Sequence, residues 1–551
     1  MATSVDSVAR LSRREALGVL LGAPLAAQAC RTPRTRSYAG RLLGASSSIG
    51  HRFRDGKLPR ANEASERRSV GIAIVGAGPS GLSAAWRLER LGYRDFELFE
   101  LEAQAGGTSA FGSDGVVPHP WGAHYVPLPG ARNPALISLL SELGAVSRTA
   151  DGEWLADERA LIRAPEERLF LAGAWHEGLY PSAGATAKDV REWRAFETEI
   201  ARWIAFRDAL GRPAFAVPMR LASSDSAVTE LDRISAADWL SQRGLSGARL
   251  RWYVEYACRD DYGLDLAHTS AWAMLFYFCS RVTRPGAPSQ PFLTWPEGNG
   301  RLVSHLSRVA GERLRLGRLV TEVNAEPAEA GVDFAVFDTR SEQLLRYHAE
   351  RMILAVPKFV VPRLLRALPE SRLRDASEFQ YGSWLVANLH LRARPESVGF
   401  QLAWDNVLYD SPSLGYVVAT HQTLADLRPT IWTYYLPLLG KAARHELELL
   451  DHATCCDAIV ADLGRAHQGL EAAIERIDVW RWGHAMVSPH PGFIWGGARD
   501  RAAAPWAERV FFAHSDLSGL SLFEEAQDHG VHAAEAALRS LGREVTALTA
   551  G

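Results

Sequence analysis

Residues 70–82, VGIAIVGAGPSGL, decide how this chain folds. The apolar run Ile72 to Val75 reads as a buried strand, and Gly76, Gly78 and Gly81 follow it in GxGxxG spacing. A helical pattern runs from Ser80 to Leu91. A second strand, Phe96 to Phe99, then delivers Glu100, 24 residues after the first glycine. Each piece has a physical task. Gly76 permits the tight turn, Gly78 lets a pyrophosphate approach the backbone, and Gly81 lets helix and strand pack closely. The phosphates would lie over Pro79 and Ser80 at the helix N-terminus, where unpaired N–H groups and the helix dipole favour an anion. Glu100 is placed to accept ribose hydroxyls. Strand, glycine turn, helix, strand and terminal acid together predict a dinucleotide site, against the alternative of a glycine-rich turn in an ordinary α/β unit.

Working outward, 551 residues are enough for two or three domains with large cores. A hydrophobic content of 47% and a charged content of 23% are ordinary for a globular protein, and a net charge of −3 gives no reason to expect nucleic acid. The cysteines Cys30, Cys258, Cys279, Cys455 and Cys456 show no CxxC spacing and no metal pattern. His529 and His532, three apart, lack a third ligand, so no metal site is expected. At the start of the chain, Ser12-Arg13-Arg14 precedes an apolar stretch from Ala16 to Ala29 with a small-residue site at Ala27-Gln28-Ala29. That layout predicts a twin-arginine signal peptide over 1–29 and a periplasmic or envelope location. Cys30 leaves a lipid anchor open, and a cytoplasmic tail carrying Arg-Arg is the alternative. Residues 30–68 read as a linker, with ten Lys or Arg against three acids over 31–68. Its basic bias leaves peripheral contact with an anionic membrane open beside a solvated arm.

The globular part is expected from Ser69. Residues 69–130 form the first part of a nucleotide domain, and 131–293 a mainly helical insertion, with helices at Asn133 to Leu143, Thr186 to Gly211 and Ala236 to Arg243. Residues 294–358 return to the nucleotide domain through a helix, Arg301 to Ala310, and strands at Arg318 to Val323, Val332 to Asp338 and Met352 to Val356. A strand-containing substrate domain over 359–505 follows, with strands at Trp384 to Leu391, Gly415 to Thr420 and Thr430 to Leu436 and a helix from Glu446 to Leu463. Residues 506–545 supply the third nucleotide-domain part.

These pieces carry a family resemblance. GAGPSGLSAAWRL with Glu100 and Gly106-Gly107-Thr108 is similar to the opening of the flavin-containing amine oxidase, protoporphyrinogen oxidase and carotenoid desaturase superfamily. TWPEGNGRLVSHL at 294–306 resembles that superfamily's P-x-G-G turn and helix, and Ala355-Val356-Pro357 its A-x-P. Val510-FFAHSDLSGLSLFEEAQDHGVHAA resembles its C-terminal segment. The resemblance implies an α/β fold: a Rossmann-like FAD-binding domain assembled from discontinuous segments, with an inserted α+β substrate domain. It implies non-covalent FAD, a backbone contact from Val320 to the adenine, Ala355 closing a returning strand, Asp516 as an acid on the cofactor, and backbone N–H groups near Phe523 facing the flavin. Val386 stands where many amine oxidases carry a flavin-side lysine, which argues against a simple expectation of fast reaction with oxygen.

Hydride transfer to a flavin needs a dry, shaped pocket, and acid–base groups are optional. Three segments are candidates for its wall. In His119 to Tyr125, Trp121 and Tyr125 would wall the pocket and His124 would move a proton if its pKa lies near working pH. Asp260-Asp261 would bind a cationic substrate or serve as base, or else cap a helix. Trp482 would supply an aromatic face, or else ordinary core packing. The expectation is an FAD-dependent oxidoreductase acting on a small organic molecule with oxygen or another electron acceptor, exported already folded by the export machinery. The alternatives are a flavin-dependent isomerase without net redox and a catalytically inactive nucleotide-binding envelope protein.

Overall fold

The computed structural model describes residues 37–58, 67–130, 132–325, 330–365, 368–423 and 429–548. The expected signal peptide and Cys30 lie outside them. Strand Arg67–Val75 buries six consecutive residues, Val70 to Val75, as a strand covered on both faces must. It pairs in parallel with Phe96–Glu100 on one side and with the end of Gln343–Leu354 on the other. Leu314–Leu316 extends the sheet beyond Phe96–Glu100, and Val510–Phe512 closes it beyond Leu354, both again in parallel. Neighbouring strands therefore come from the start, middle and end of the globular chain, as the discontinuous Rossmann-like reading requires. The stretches Arg318–Asn324, Val332–Asp338 and the first half of Gln343–Leu354 form an antiparallel meander on the same sheet.

Three helices cover one face of the parallel strands. Pro79–Arg90 starts with proline in its first turn, where a missing N–H costs nothing. Gly300–Ala310 and Phe523–Ser540 pack against it. The crossing with Phe523–Ser540 is so close that a Cβ on Gly530 would lie 2.1 Å from the Ser80 carbonyl oxygen. Only glycine fits there.

The second body is an eight-stranded sheet in the order Leu42–Gly44, Ile474–Val487, Tyr381–Leu391, Thr430–Leu438, Tyr416–Val418, Asp405–Leu408, Glu167–Leu171, Ala174–Glu177. One face packs on Ala443–Leu449 and His452–Leu463, which bury Cys455 and Cys456 as small apolar residues. The expected single helix over 446–463 is two, because Asp451 caps a fresh start by accepting from the Thr454 N–H. A helical layer lies beside the sheet: Ala187–Ala205, Ala236–Gln242, Ala248–Tyr262 and Ala271–Cys279. Thr186 with Asp189, and Ser235 with Asp238, close capping boxes on two of these helices. Trp239 and Trp272 are fully buried between them; truncating either to alanine would cost about 3–5 kcal/mol.

One expectation is corrected and another refined. Residues 37–58 are not linker: Leu42–Gly44 pairs with Val479 to Arg481, and Ser47–Arg54 is a helix. The basic bias misled because Arg41 spends its charge on Asp478 and Asp114. The mainly helical insertion expected over 131–293 also supplies strands, since Glu167–Leu171 and Ala174–Glu177 complete the sheet built by 381–487. These strands are short and their apolar residues few, so alternation was weak. Among the described residues, no helix is long and apolar enough to cross a membrane.

Candidate active site

The glycine turn has the geometry its spacing predicts. Gly76 takes φ +96°, and a Cβ there would meet the Ala355 carbonyl oxygen at 2.6 Å. Ala355 is in turn tied to the turn by its N–H to the Val75 carbonyl, 2.8 Å. A Cβ on Gly81 would lie 1.9 Å from the Gly76 carbonyl oxygen. Gly78 differs from both: nothing lies within 4 Å of where its Cβ would point. That free space sits over a helix start with no side-chain cap, so the first-turn amides at Ser80 and Gly81 face it without competition. An anion fits there.

The rest of the turn wraps that space. Glu100 ends its strand with Oε2 accepting from the Ala77 N–H at 2.7 Å and Oε1 from Glu102 N–H at 2.9 Å. Burial lifts its pKa to about 7 despite those two amides. Gly106, at φ +127°, donates to the Ala77 carbonyl, and Gly107 lies against Gly78. Val320 is buried at a point where the ladder skips between Val320 and Glu322, a bulge that frees backbone beside it. Phe523 opens its helix with no side-chain cap.

Between this groove and the eight-stranded sheet lies a cavity. Thr108, Gly122, Leu522 and Phe523 form its nucleotide-side wall; Trp384, Val386, Tyr435 and Trp482 project from the sheet; Tyr256, Asp260 and Asp261 come from the end of helix Ala248–Tyr262. Its floor is fastened by long-range bonds. The Tyr435 hydroxyl donates to the Gly122 carbonyl at 2.9 Å, Trp482 Nε1 to the Trp121 carbonyl at 2.6 Å, and the Thr294 hydroxyl to the His124 carbonyl at 2.6 Å.

Acids dominate the polar lining. Asp405 accepts from the Tyr256 hydroxyl at 3.2 Å and stands in register with Glu167 on the neighbouring strand. Burial, with the Glu167 charge, pushes Asp405 up to about 8, and burial with Glu166 pushes Glu167 up to about 7. Asp260 is raised well above the carboxylate range by burial and by Asp261 and Asp405. Asp261 is raised by burial, opposed by Arg281. Arg281 is the one arginine or lysine in the lining, with its guanidinium 5.6 Å from the Tyr125 ring and, against the effect of burial, held charged by Tyr125, Asp261 and Glu524. Crowding and burial therefore favour the protonated form of these acids, and a nearby positive charge would oppose it.

The predicted site residues divide. Thr108, Phe523, His124, Tyr125 and Trp482 line the cavity, and so does the Asp260–Asp261 pair. Trp121 does not: it is buried behind Trp482, against Trp480. His124 is there but ill suited to proton transfer near neutrality, because burial pushes its pKa down to about 4. It donates from Nδ1 to the Gly122 carbonyl and packs on Tyr435, an aromatic wall rather than a base. Asp516 turns both oxygens to protein: the Lys358 N–H, the Tyr381 hydroxyl and His514. His529 and His532 are engaged by Ser518 and Asp528. Sequence reasoning missed Asp405, Tyr256, Arg281 and Glu524. An acid inside an apolar strand run, as in Leu402-AWDNVL, was the available signal for Asp405.

Comparison with known proteins places the fold. Residues 74–143 match the family model described as an NAD(P)-binding Rossmann-like domain. Putrescine oxidase, solved as wild type bound to putrescine, matches at 18% identity and a TM-score of 0.65, over 86% of this chain and 100% of that one. Cyclohexylamine oxidase from Brevibacterium oxydans IH-35A matches at 16% identity and a TM-score of 0.61, over 86% and 100%. The chain has the fold of these amine oxidases.

Proposed function

We propose that this chain is an FAD-dependent oxidoreductase that takes a hydride from an organic substrate bearing a positively charged nitrogen. The observation that carries the reading is the cavity itself: aromatic walls, a cluster of buried and half-buried acids around Asp405 and Asp260, and an adjoining dinucleotide groove. FAD supplies, when bound, a ring that accepts two electrons and a proton as hydride. The residues fit it. Gly78 leaves room for the pyrophosphate, Glu100 ends its strand beside the loop, and the uncapped helix at Phe523 offers N–H groups on the cavity wall.

The chain's own groups do the rest. Tyr435, Trp482 and His124 exclude water and present flat faces to a cation. Asp260 and Asp405 hold the positive nitrogen, losing protons to do so. The amine-containing substrates named for both structural relatives agree with that chemistry. No cysteine lines the cavity among the described residues, which favours non-covalent FAD. Val386 faces the cavity where a lysine would be expected in many amine oxidases, so slow reoxidation by oxygen and a different physiological acceptor belong to the proposal. Export through the arginine pair at 13 and 14 belongs to it too, testable by fractionating cells that express the chain with and without Arg13→Lys and Arg14→Lys.

The central test is an anaerobic panel of amines and neutral analogues mixed with the yellow holoenzyme. Bleaching of the flavin absorption by amines and not by their neutral isosteres is expected. A colourless protein that refuses FAD, or bleaching indifferent to charge, would overturn the reading.

A further inference from the structure

Of the loop Trp295 to Gly300, only Asn299 lines the catalytic cavity. Its neighbours are glycines because the packing leaves no room for more. A Cβ on Gly298 would lie 2.7 Å from the His124 Cα, and one on Gly300 2.4 Å from the Phe111 ring. The backbone of Asn299 is tied to the nucleotide-side wall. Its N–H donates to the Ala123 carbonyl at 3.1 Å, and the Ala123 N–H donates to the Thr108 carbonyl at 2.9 Å.

Asn299 immediately precedes helix Gly300–Ala310, a position where asparagine ordinarily turns its side-chain oxygen to an N–H of the first turn. Here the helix start has no side-chain cap. The Leu302 and Val303 N–H groups go instead to the Asn299 backbone carbonyl, each at 3.1 Å. Asn299 is 1% exposed, and its Oδ1 has no hydrogen-bond partner among the described residues. Buried polar atoms are almost always paired, so an orphaned acceptor on a cavity wall marks the place of a ligand's donor.

Amine oxidation needs such an acceptor. An ammonium has no lone pair, and hydride leaves the α-carbon only as a nitrogen lone pair closes the C=N bond. A carboxylate beside the reacting nitrogen would hold it as ammonium, whereas a carboxamide oxygen accepts an N–H without a charge to fix the proton. We propose that Asn299 Oδ1 accepts an N–H of the substrate's reacting nitrogen in its uncharged form. The proton balance closes on the cavity's own acids: the ammonium gives one proton to a carboxylate of the lining, and Asp405, titrating at about 8, is basic enough to take it. The α-hydrogen then leaves with two electrons to FAD, and the product is an iminium ion. The contact also narrows the substrate class, because primary and secondary amines keep an N–H when uncharged and tertiary amines do not. This inference rests on the amine oxidation proposed above.

The test crosses a residue change with a change of substrate. In anaerobic stopped flow of the FAD-loaded wild type, the limiting rate of bleaching is expected to be about tenfold or more higher with benzylamine than with N,N-dimethylbenzylamine. Asn299→Ala should lower the benzylamine rate by a similar factor and leave the dimethylbenzylamine rate unchanged. FAD affinity by equilibrium dialysis and the flavin absorption spectrum should match wild type, since the helix start is held through backbone. Equal rates for the two amines in the wild type would overturn the inference and leave the proposed function standing. So would a benzylamine rate in Asn299→Ala within about twofold of wild type. A faster dimethylbenzylamine reaction in the variant would give Asn299 a steric role, and a shifted flavin spectrum would place it on the cofactor; either result overturns the inference too. If no amine bleaches the wild type, the proposed function falls and this inference falls with it.

Discussion

On the proposed function, the two halves of this molecule would recognise their ligands by different means. In the nucleotide half the work would be done by backbone: a turn with glycines at three positions, uncapped helix starts at Pro79 and Phe523, a bulge beside Val320. In the substrate half it is done by side chains that meet from distant segments, with Tyr256 and Asp260 from a helix, Asp405 and Trp482 from two strands of one sheet, and Glu524 from near the C-terminus. Backbone recognition demands fixed local spacing; side-chain recognition demands only that the fold bring chemistry together. The first can be read along a chain and the second cannot.

The largest expected effect tests the backbone half. Gly78→Val should abolish FAD retention, a loss of about a thousandfold or more in affinity, because its branched side chain would fill the space left for the pyrophosphate. Since nothing in the protein occupies that space, the apoprotein should fold with unchanged circular dichroism and thermal midpoint. Gly81→Val makes the contrast: its Cβ would strike the Gly76 carbonyl oxygen at 1.9 Å, so it should damage folding itself. Full FAD occupancy in the Gly78 variant would break the comparison at its root.

The next effect tests the side-chain half. Asp405→Asn should raise KM for a cationic amine about 30-fold or more, roughly 2 kcal/mol, with a much smaller change for a neutral analogue. The pH dependence gives the same group a second signature. Asp405 at about 8 and Glu167 at about 7 are protonated below those values, so KM for the cation should worsen as pH falls from 8 to 6, by at most about tenfold per unit for each proton displaced. Stability should run the other way. Both acids bind protons more tightly folded than unfolded, where carboxyls titrate near 4. The substrate-free protein should therefore lose stability as pH rises from about 4.5 to 8, and Asp405→Asn should flatten that slope in thermal scans. A KM independent of pH across that window would remove Asp405 from cation binding.

The same division explains what was legible in the sequence. Gly76, Gly78, Gly81, Glu100 and Gly106-Gly107 lie within 32 residues, and their spacing announced both the turn and its return strand. The strands at 352–354 and 510–512 were found because each is a short, continuously apolar run. Trp121, His124 and Asp516 show the limit. Their segments stood out in the sequence, but whether a side chain faces the cavity, the core or a protein partner depends on packing from elsewhere. Trp121 is covered by Trp482 from more than 350 residues away, and Asp516 is claimed by Lys358 and Tyr381. The strand Leu42–Gly44 was hidden by the preceding Arg41, whose partner Asp478 lies on the neighbouring strand.

The smallest expected effect falls where the two modes meet. Glu100 is a side chain, yet it is held by backbone: the Ala77 and Glu102 amides fix its carboxylate at the end of its strand. Glu100→Ala would remove a ribose contact and also orphan two amides of the loop, so its effect would mix binding with loop damage. Glu100→Gln is the milder change, since only the Glu102 amide loses its acceptor. Its carbonyl oxygen can keep the Ala77 bond while the charge is lost, so FAD affinity should weaken only about fivefold, ~1 kcal/mol, by equilibrium dialysis. If pH-dependent ionisation of this group near 7 matters to ribose binding, wild-type affinity should rise modestly between pH 6 and 8 and the Gln variant should show no such rise. Equal pH dependence in both would assign the change to another group and leave Glu100 as a brace for the turn.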